Sequence, residues 1–107
     1  MATKAKKTLA ELLDEAIADR RTGIPTGDRL TRITNLILND AKKRMRLGNY
    51  QNTGPLLDIA KAISSHAMQL LANDLPNGSA FKAVVGPFKP RTLVRDLKRA
   101  KALVAVA

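Results

Sequence analysis

Hydrophobic residues recur at helical spacing along most of the chain, most clearly between Leu30 and Arg46. On a helix of about 3.6 residues per turn, one arc collects the apolar residues Leu30, Ile33, Ile37, Leu38, Ala41 and Met45. The opposite arc carries cationic and amide side chains with no acid among them. These residues, the first basic stripe, are Arg29, Arg32, Asn35, Asn39, Lys42, Lys43 and Arg46. The pattern predicts an amphipathic helix over residues 28–46, with Asp28 or Thr26 as its N-cap.

Two further segments show the same periodicity. Residues 8–21 open with a capping box, in which Thr8 and Glu11 can each satisfy the other's backbone N–H. Residues 54–74 follow Thr53, a predicted N-cap, and carry a broad apolar arc. Its residues are Leu56, Ile59, Ala60, Ile63, Ala67, Leu70 and Leu71. Each segment ends near a glycine or proline, so both are predicted to be separate helices.

The C-terminal part combines a linker with a fourth helix. Residues 79–90 hold two prolines, a glycine and an alternation of apolar residues, which predicts a short extended segment or linker. From Arg91 to about Val104, one arc is apolar and the other is cationic. The cations, the second basic stripe, are Arg91, Arg95, Lys98 and Arg99. The predicted fold is all-α: a basic arm (1–7), a three-helix body (8–78), then the linker and basic helix (79–107).

Charge is segregated along the chain rather than spread evenly. The formal net charge is +10, yet the first predicted helix is acidic and residues 47–78 are nearly neutral. Segregated cations favour a polyanionic partner, and nucleic acid is the predicted one. A merely solvated basic surface remains the alternative. A membrane surface is a weaker one, because the last helix has a thin apolar face and no aromatic anchor.

One surface of the third helix is predicted to contact another copy of the chain. It is the small, weakly charged face represented by Ala62, Ser65 and Gln69. A plain surface helix would explain this pattern as well. Arg44 falls inside the apolar arc of its helix, which predicts that it snorkels or pairs with an acid across a contact.

Catalytic chemistry finds no support in the sequence. The chain has no cysteine, and its single histidine, His66, lies at the edge of an apolar arc with no acid at a triad-like spacing. We therefore predict no enzyme activity, metal or cofactor. Aromatic residues make up only 3% of the chain, which argues against stacking platforms for single-stranded nucleic acid. Double-stranded DNA is the predicted partner, with RNA as the alternative. No apolar run approaches the length of a membrane span, so we expect a cytoplasmic protein with no membrane partner.

Residues 9–20, LAELLDEAIADR, resemble the opening helix of small terminase subunits, the DNA-packaging proteins of short-tailed bacteriophages. The matching positions are Glu11, Leu13, Asp14, Ala16, Ala18 and Arg20. The likeness extends over residues 9–47, where Leu38-Asn39-Asp40 is similar to a phrase that ends the family's second helix. The resemblance implies a non-enzymatic homo-oligomeric ring in the host cytoplasm. In such a ring the acidic face of the first helix, with Glu11, Asp14 and Glu15, could meet a basic stripe of a neighbouring copy. Such a ring recognises viral DNA and presents it to a large subunit that carries the ATPase and nuclease.

The alternative function that the sequence leaves open is a protein–protein interaction module. A structural virion component, or an inhibitor of an acidic partner, would also have segregated cations. A general nucleic-acid-binding protein is a third possibility. Asn35 and Asn39 lie within the first basic stripe and could reach base edges, although a surface amide more often binds water.

Overall fold

The computed structural model describes residues 8–19 and 27–105, and these form five helices. They are α1 (Leu9–Asp19), α2 (Gly27–Arg46), α3 (Thr53–Ala72), α4 (Ala80–Val85) and α5 (Pro90–Ala105). No β-strand occurs within the two described ranges, so the predicted all-α class is confirmed. The predicted N-terminal arm and residues 20–21 of the first predicted helix lie outside the described residues.

The four long helices form a ring around one core. α2 packs along α3, α3 packs on α5, α5 packs on α1, and α1 closes the ring against α2. As a result, α2 and α5 lie diagonally across the ring. The largest side chains that are fully buried in the core are Leu13, Leu30, Ile33, Ile37, Leu56, Ile63, Leu93 and Leu97. They come from all four helices, so α5 shares the core of the predicted three-helix body.

The face that α2 turns inward is the predicted one. Its core residues include Leu30, Ile33, Ile37 and Ala41, while Leu38 packs partly buried against the core. Apolar side chains recurring at three- and four-residue steps can only be buried together on one side of a helix. The polar side chains between them must then point away from the core.

Arg44 is the exception on α2, and the structure shows how it is accommodated. Its side chain is only 11% exposed, and its Nε donates to Asp40 Oδ2 at 3.1 Å on the same helix. Its Nη2 donates to the backbone oxygen of Val104 at 3.2 Å, in the last turn of α5. A cation at a helix C-terminus satisfies carbonyls that have no partner within the helix. The prediction that Arg44 pairs with an acid across a contact was therefore wrong about where the acid lies. The acid belongs to the same helix, and Arg44 also joins the ends of α2 and α5.

The helix starts match the predictions only in part. The capping box of α1 is present, with Thr8 Oγ1 3.0 Å from Glu11 Oε1 and accepting from the Glu11 N–H at 3.2 Å. Asp28 is not the N-cap of α2, because the helix already begins at Gly27 and Asp28 lies in its first turn. Thr26, the alternative, lies outside the described residues.

The predicted cap of α3 is also wrong by one residue. Thr53 is the first helical residue, and the cap is Asn52, which adopts a left-handed conformation with φ of 67°. An asparagine tolerates this conformation better than most side chains. The Thr53 hydroxyl instead donates to the Asn49 backbone oxygen at 3.4 Å.

The prediction of an extended segment was wrong for residues 80–85, which form α4. The helix follows an extended Ser79 and ends at Gly86, whose φ is 78°. Gln69 Nε2 on α3 donates to the Val85 backbone oxygen at 3.0 Å and holds the end of α4 in place. The prediction failed because three alternating apolar residues fit a short helix as well as a strand. In addition, the described residues include no strand with which this segment could pair. The non-helical connection to α5 shortens to residues 86–89.

Candidate nucleic-acid interface

The first basic stripe covers the outer face of α2. Six of its seven residues are exposed, and only Arg29 is half-buried. The exposed set is Arg32, Asn35, Asn39, Lys42, Lys43 and Arg46. Because a helix rises about 1.5 Å per residue, Arg32 and Arg46 lie about 21 Å apart along the axis. α2 therefore presents a straight row of cations and amides on the side opposite the core.

The exposed side chains of this stripe have no carboxylate partner within the described structure. The only acid in the second half of α2 is Asp40, and it is engaged by Arg44. None of the six exposed side chains forms an ion pair or hydrogen bond with another residue in the ranges 8–19 and 27–105. Arg29 differs, because it has a polar contact of its own. The six exposed residues are free to bind an external anion.

The C-terminal half of the first basic stripe borders a shallow, open concavity. Its volume is about 460 Å³, and its lining includes Asn39, Lys42, Met45 and Arg46. Two cations and an amide around a depression can hold a phosphate oxygen and its sugar, while the amide offers both a donor and an acceptor. The geometry suits contacts from the two cations to the sugar–phosphate backbone of DNA and a contact from Asn39 to a base edge.

The second basic stripe is exposed too, but its surroundings differ. Arg91, Arg95, Lys98 and Arg99 all lie on the outer face of α5. Arg95 Nε lies 3.5 Å from Asp96 Oδ1, so this cation has a carboxylate neighbour. Further along α5, Lys101 Nζ pairs with Asp14 Oδ1 of α1 at 2.5 Å. Cations on this helix are partly used in contacts within the fold.

A buried polar pair that the sequence interpretation missed lies between α3 and α5. His66 Nε2 is 2.8 Å from Asp96 Oδ2, and the side chains are only 8% and 4% exposed. The ring of Phe88 meets the imidazole edge-on, with centroids 6.5 Å apart. His66 Nδ1 is buried and finds no partner among the described residues. The pair joins two helices inside the fold, which is a structural role for this histidine.

A signal for this pair does exist in the sequence. Asp96 is the only acid between residues 79 and 107, and it lies three residues after Leu93 and four before Ala100, at the border of the apolar arc. His66 occupies the same border position on the third helix. Two border residues of complementary chemistry on two amphipathic helices are natural partners, because a buried polar group requires one.

The predicted oligomer contacts fall in different environments. Glu11 belongs to the capping box, Asp14 pairs with Lys101, and Glu15 has a polar contact of its own. On α3, Ala62 packs against the core and Gln69 bonds to α4. Ser65 is exposed, and its hydroxyl donates to the Lys61 backbone oxygen at 3.2 Å. Most of these residues therefore already contribute to contacts within one copy, and their role between copies stays a prediction.

No protein-family model, curated protein or solved structure matches this chain. Within the described residues, no cluster of three or more histidine, aspartate or glutamate side chains could hold a metal ion. The same part of the chain includes no helix with the length and apolar character needed to cross a membrane.

Proposed function

We propose that this protein is a non-catalytic subunit that binds double-stranded DNA through the first basic stripe on α2. One observation carries the proposal. Six cationic or amide side chains line the outer face of a single helix, exposed and without a carboxylate partner among the described residues. When a row of unpaired protein cations neutralises DNA phosphates, the counterions condensed on the DNA are released, and this release drives non-specific binding.

Duplex DNA fits the stripe better than a single strand does. The major groove of B-DNA is wide enough to admit an α-helix, and a length of about 21 Å spans about six base pairs. Single-strand binding relies on aromatic side chains that stack with bases, and α2 contains none. Tyr50, 68% exposed, follows α2 in the loop to α3 and is too isolated to form a stacking platform.

Genome packaging is the role that we propose for this DNA binding. It is supported by the resemblance of residues 9–47 to small terminase subunits, a stretch that contains all of α1 and α2. In this role several copies assemble, and the assembly delivers viral DNA to a large subunit in the host cytoplasm. The first basic stripe then supplies the DNA contact, while catalysis belongs to the partner.

The salt dependence of DNA affinity tests this proposal. On duplex DNA the log–log slope is about −0.9 per phosphate contact. Replacing Arg32, Lys43 and Arg46 by alanine should make the slope shallower by about 2.7 if all three side chains contact phosphates. All three are exposed, so circular dichroism should show unchanged helicity. Fluorescence anisotropy with a short duplex at several salt concentrations gives the slope.

A matched control removes the same charge from α5. Arg91, Lys98 and Arg99 are exposed, and their alanine variant also loses three cations. Arg95 is left intact because it lies beside the buried Asp96. We expect this control to change the log–log slope by less than about 0.9, the value of one phosphate contact. Equal effects of both triple variants would contradict a specific role for α2. If the protein does not bind the duplex at low salt but binds an acidic protein tightly, the protein–protein interaction module becomes the better explanation.

A further inference from the structure

One flank of α3 exposes large apolar side chains at alternating steps of four and three residues. We call this row the α3 seam; it comprises Leu57, Lys61, Ser64, Met68 and Leu71 of α3 and continues to Leu75, three residues beyond the end of the helix. The four apolar members are between 38% and 50% exposed. A 3–4 repeat averages 3.5 residues per turn, the spacing by which one helix packs along another. A row of this kind on a free surface indicates a helical partner.

The N-terminal part of the α3 seam, from Leu57 to Met68, borders a groove on the outer side of the α2–α3 pair. Thr34 and Leu38 of α2 line its other side, and the groove has a volume of about 340 Å³. Its floor includes Ala60, Ser64 and Ser65, whose small side chains let another backbone approach closely. Gln69, whose side chain bonds to α4, belongs to a different side of α3. The groove is therefore a surface separate from the polar contacts inside the fold.

We propose that the α3 seam pairs with the α3 seam of a second copy, antiparallel and around a two-fold axis at the level of His66. In this register Leu57 lies opposite Leu75 of the second copy, and Ser64 lies opposite Met68. Lys61 lies opposite Leu71, where its alkyl chain can cover the leucine while its ammonium reaches solvent. A two-fold contact requires a self-complementary surface, and within α3 the pairs Ser64–Met68 and Lys61–Leu71 meet that requirement.

Among the possible contacts between two copies, charge favours the α3 seam over the basic stripes and the antiparallel over the parallel orientation. Both basic stripes repel another molecule of net charge +10, whereas the α3 seam includes only one cation. Parallel pairing would place Lys61 against its own counterpart. Antiparallel pairing separates the two lysines by about 15 Å along the axis. It also brings the exposed Asp74 of the second copy near Leu38, one helical turn from the exposed Lys42 of α2.

This inference does not rest on DNA binding, and either proposal can fail alone. A two-fold contact closes on itself and makes pairs, so a larger assembly would need a second contact between pairs. The first basic stripe lies on the face of α2 opposite the core, beside the groove and not inside it. Apart from Lys42 at its edge, pairing through the seam leaves the stripe exposed on both copies.

Analytical ultracentrifugation of the full chain tests the pairing. We expect a dimer whose dissociation constant rises at least tenfold in Met68→Lys, because a buried hot-spot contact becomes a charge. Leu47→Lys is the matched control, since Leu47 is 74% exposed and lies off the seam, and it should leave the constant unchanged. Circular dichroism should show both variants folded. A monomeric wild type at several hundred micromolar, or a dimer unaffected by Met68→Lys, would overturn the proposal.

Disulfide trapping tests the antiparallel orientation of the two seams. The chain has no native cysteine, so only the introduced cysteines can form a disulfide. The double variant Lys61→Cys/Leu71→Cys should form a covalent dimer under mild oxidation, because these positions face each other across the proposed axis. Within one chain they lie about 15 Å apart, too far for a disulfide. The single variant Lys61→Cys should stay uncrosslinked. Efficient crosslinking of the single variant would show parallel pairing and overturn the proposed register.

Discussion

The two basic stripes look alike in the sequence, but the structure gives them different environments. On α2, six exposed stripe side chains have no ion pair or hydrogen bond among the described residues. On α5, Arg95 lies beside a buried carboxylate, and Lys101, next to the stripe, is paired with α1, whereas the side chains of the other three stripe residues have no partner in the described ranges. The comparison teaches that an exposed cation is not always an available one. Availability depends on what else its helix must hold together.

The difference follows from the place of each helix in the ring. α5 connects α3 to α1, and it does so partly with polar groups: the His66–Asp96 pair on one side and the Asp14–Lys101 pair on the other. α2 packs mainly on α3 through apolar residues, so its polar face takes little part in the fold. We therefore expect variants of the α5 contacts to affect stability, and variants of the α2 stripe to affect binding.

The largest effect is expected from His66→Ala. This variant leaves Asp96 buried without its main partner, and removing one member of a buried pair costs about 3–5 kcal/mol. Urea unfolding followed by circular dichroism measures the loss. His66→Gln, which can still donate a hydrogen bond, should lose less. A loss below about 1 kcal/mol in His66→Ala would mean that the pair does not hold α5 in place.

Arg44→Ala should have the next largest effect. Arg44 makes hydrogen bonds to Asp40 and to the end of α5, and such charged hydrogen bonds each contribute about 1.5–3 kcal/mol. We expect the free energy of unfolding to fall by about 2 kcal/mol, less than the sum of the two bonds, because Asp40 is partly exposed and can bind water once Arg44 is removed. Arg46→Ala, on the exposed first basic stripe, is the control and should change it by less than about 0.5 kcal/mol. Similar losses of unfolding free energy in both variants would show that Arg44 stabilises the fold no more than an exposed cation of the first basic stripe does.

The smallest effect is expected from Asp14→Asn. Both partners of the Asp14–Lys101 pair are more than half exposed, so water and salt screen it. The loss in unfolding free energy should be below about 1 kcal/mol and should vanish at high salt. Thermal melts at low and high salt measure this change. A larger loss that persists in salt would show that α1 depends on this pair more than its exposure suggests.

Amphipathic periodicity made much of the fold predictable. The spacing of Leu30, Ile33 and Ile37 determines which side of α2 enters the core, and every exposed residue of the first basic stripe follows from that choice. The capping box at Thr8 was also readable, because both partners lie within one turn. Local patterns of this kind depend only on helix geometry.

Features that depend on contacts between helices were not predictable in this way. The partner of His66 lies 30 residues away, and no local spacing connects the two. The α3 seam was missed because Leu71 fits the apolar arc in the sequence, yet it is half exposed in the fold. α4 was missed because six residues carry too little periodicity to distinguish a short helix from a strand.

The diagonal placement of α2 and α5 limits how one copy can engage a stiff rod-shaped ligand. Each helix turns its cations away from the shared core, and α2 and α5 meet where Arg44 reaches the last turn of α5. A straight duplex that lies along α2 follows the axis of one helix only. One copy therefore holds one segment of duplex through α2, and a second segment needs a second copy.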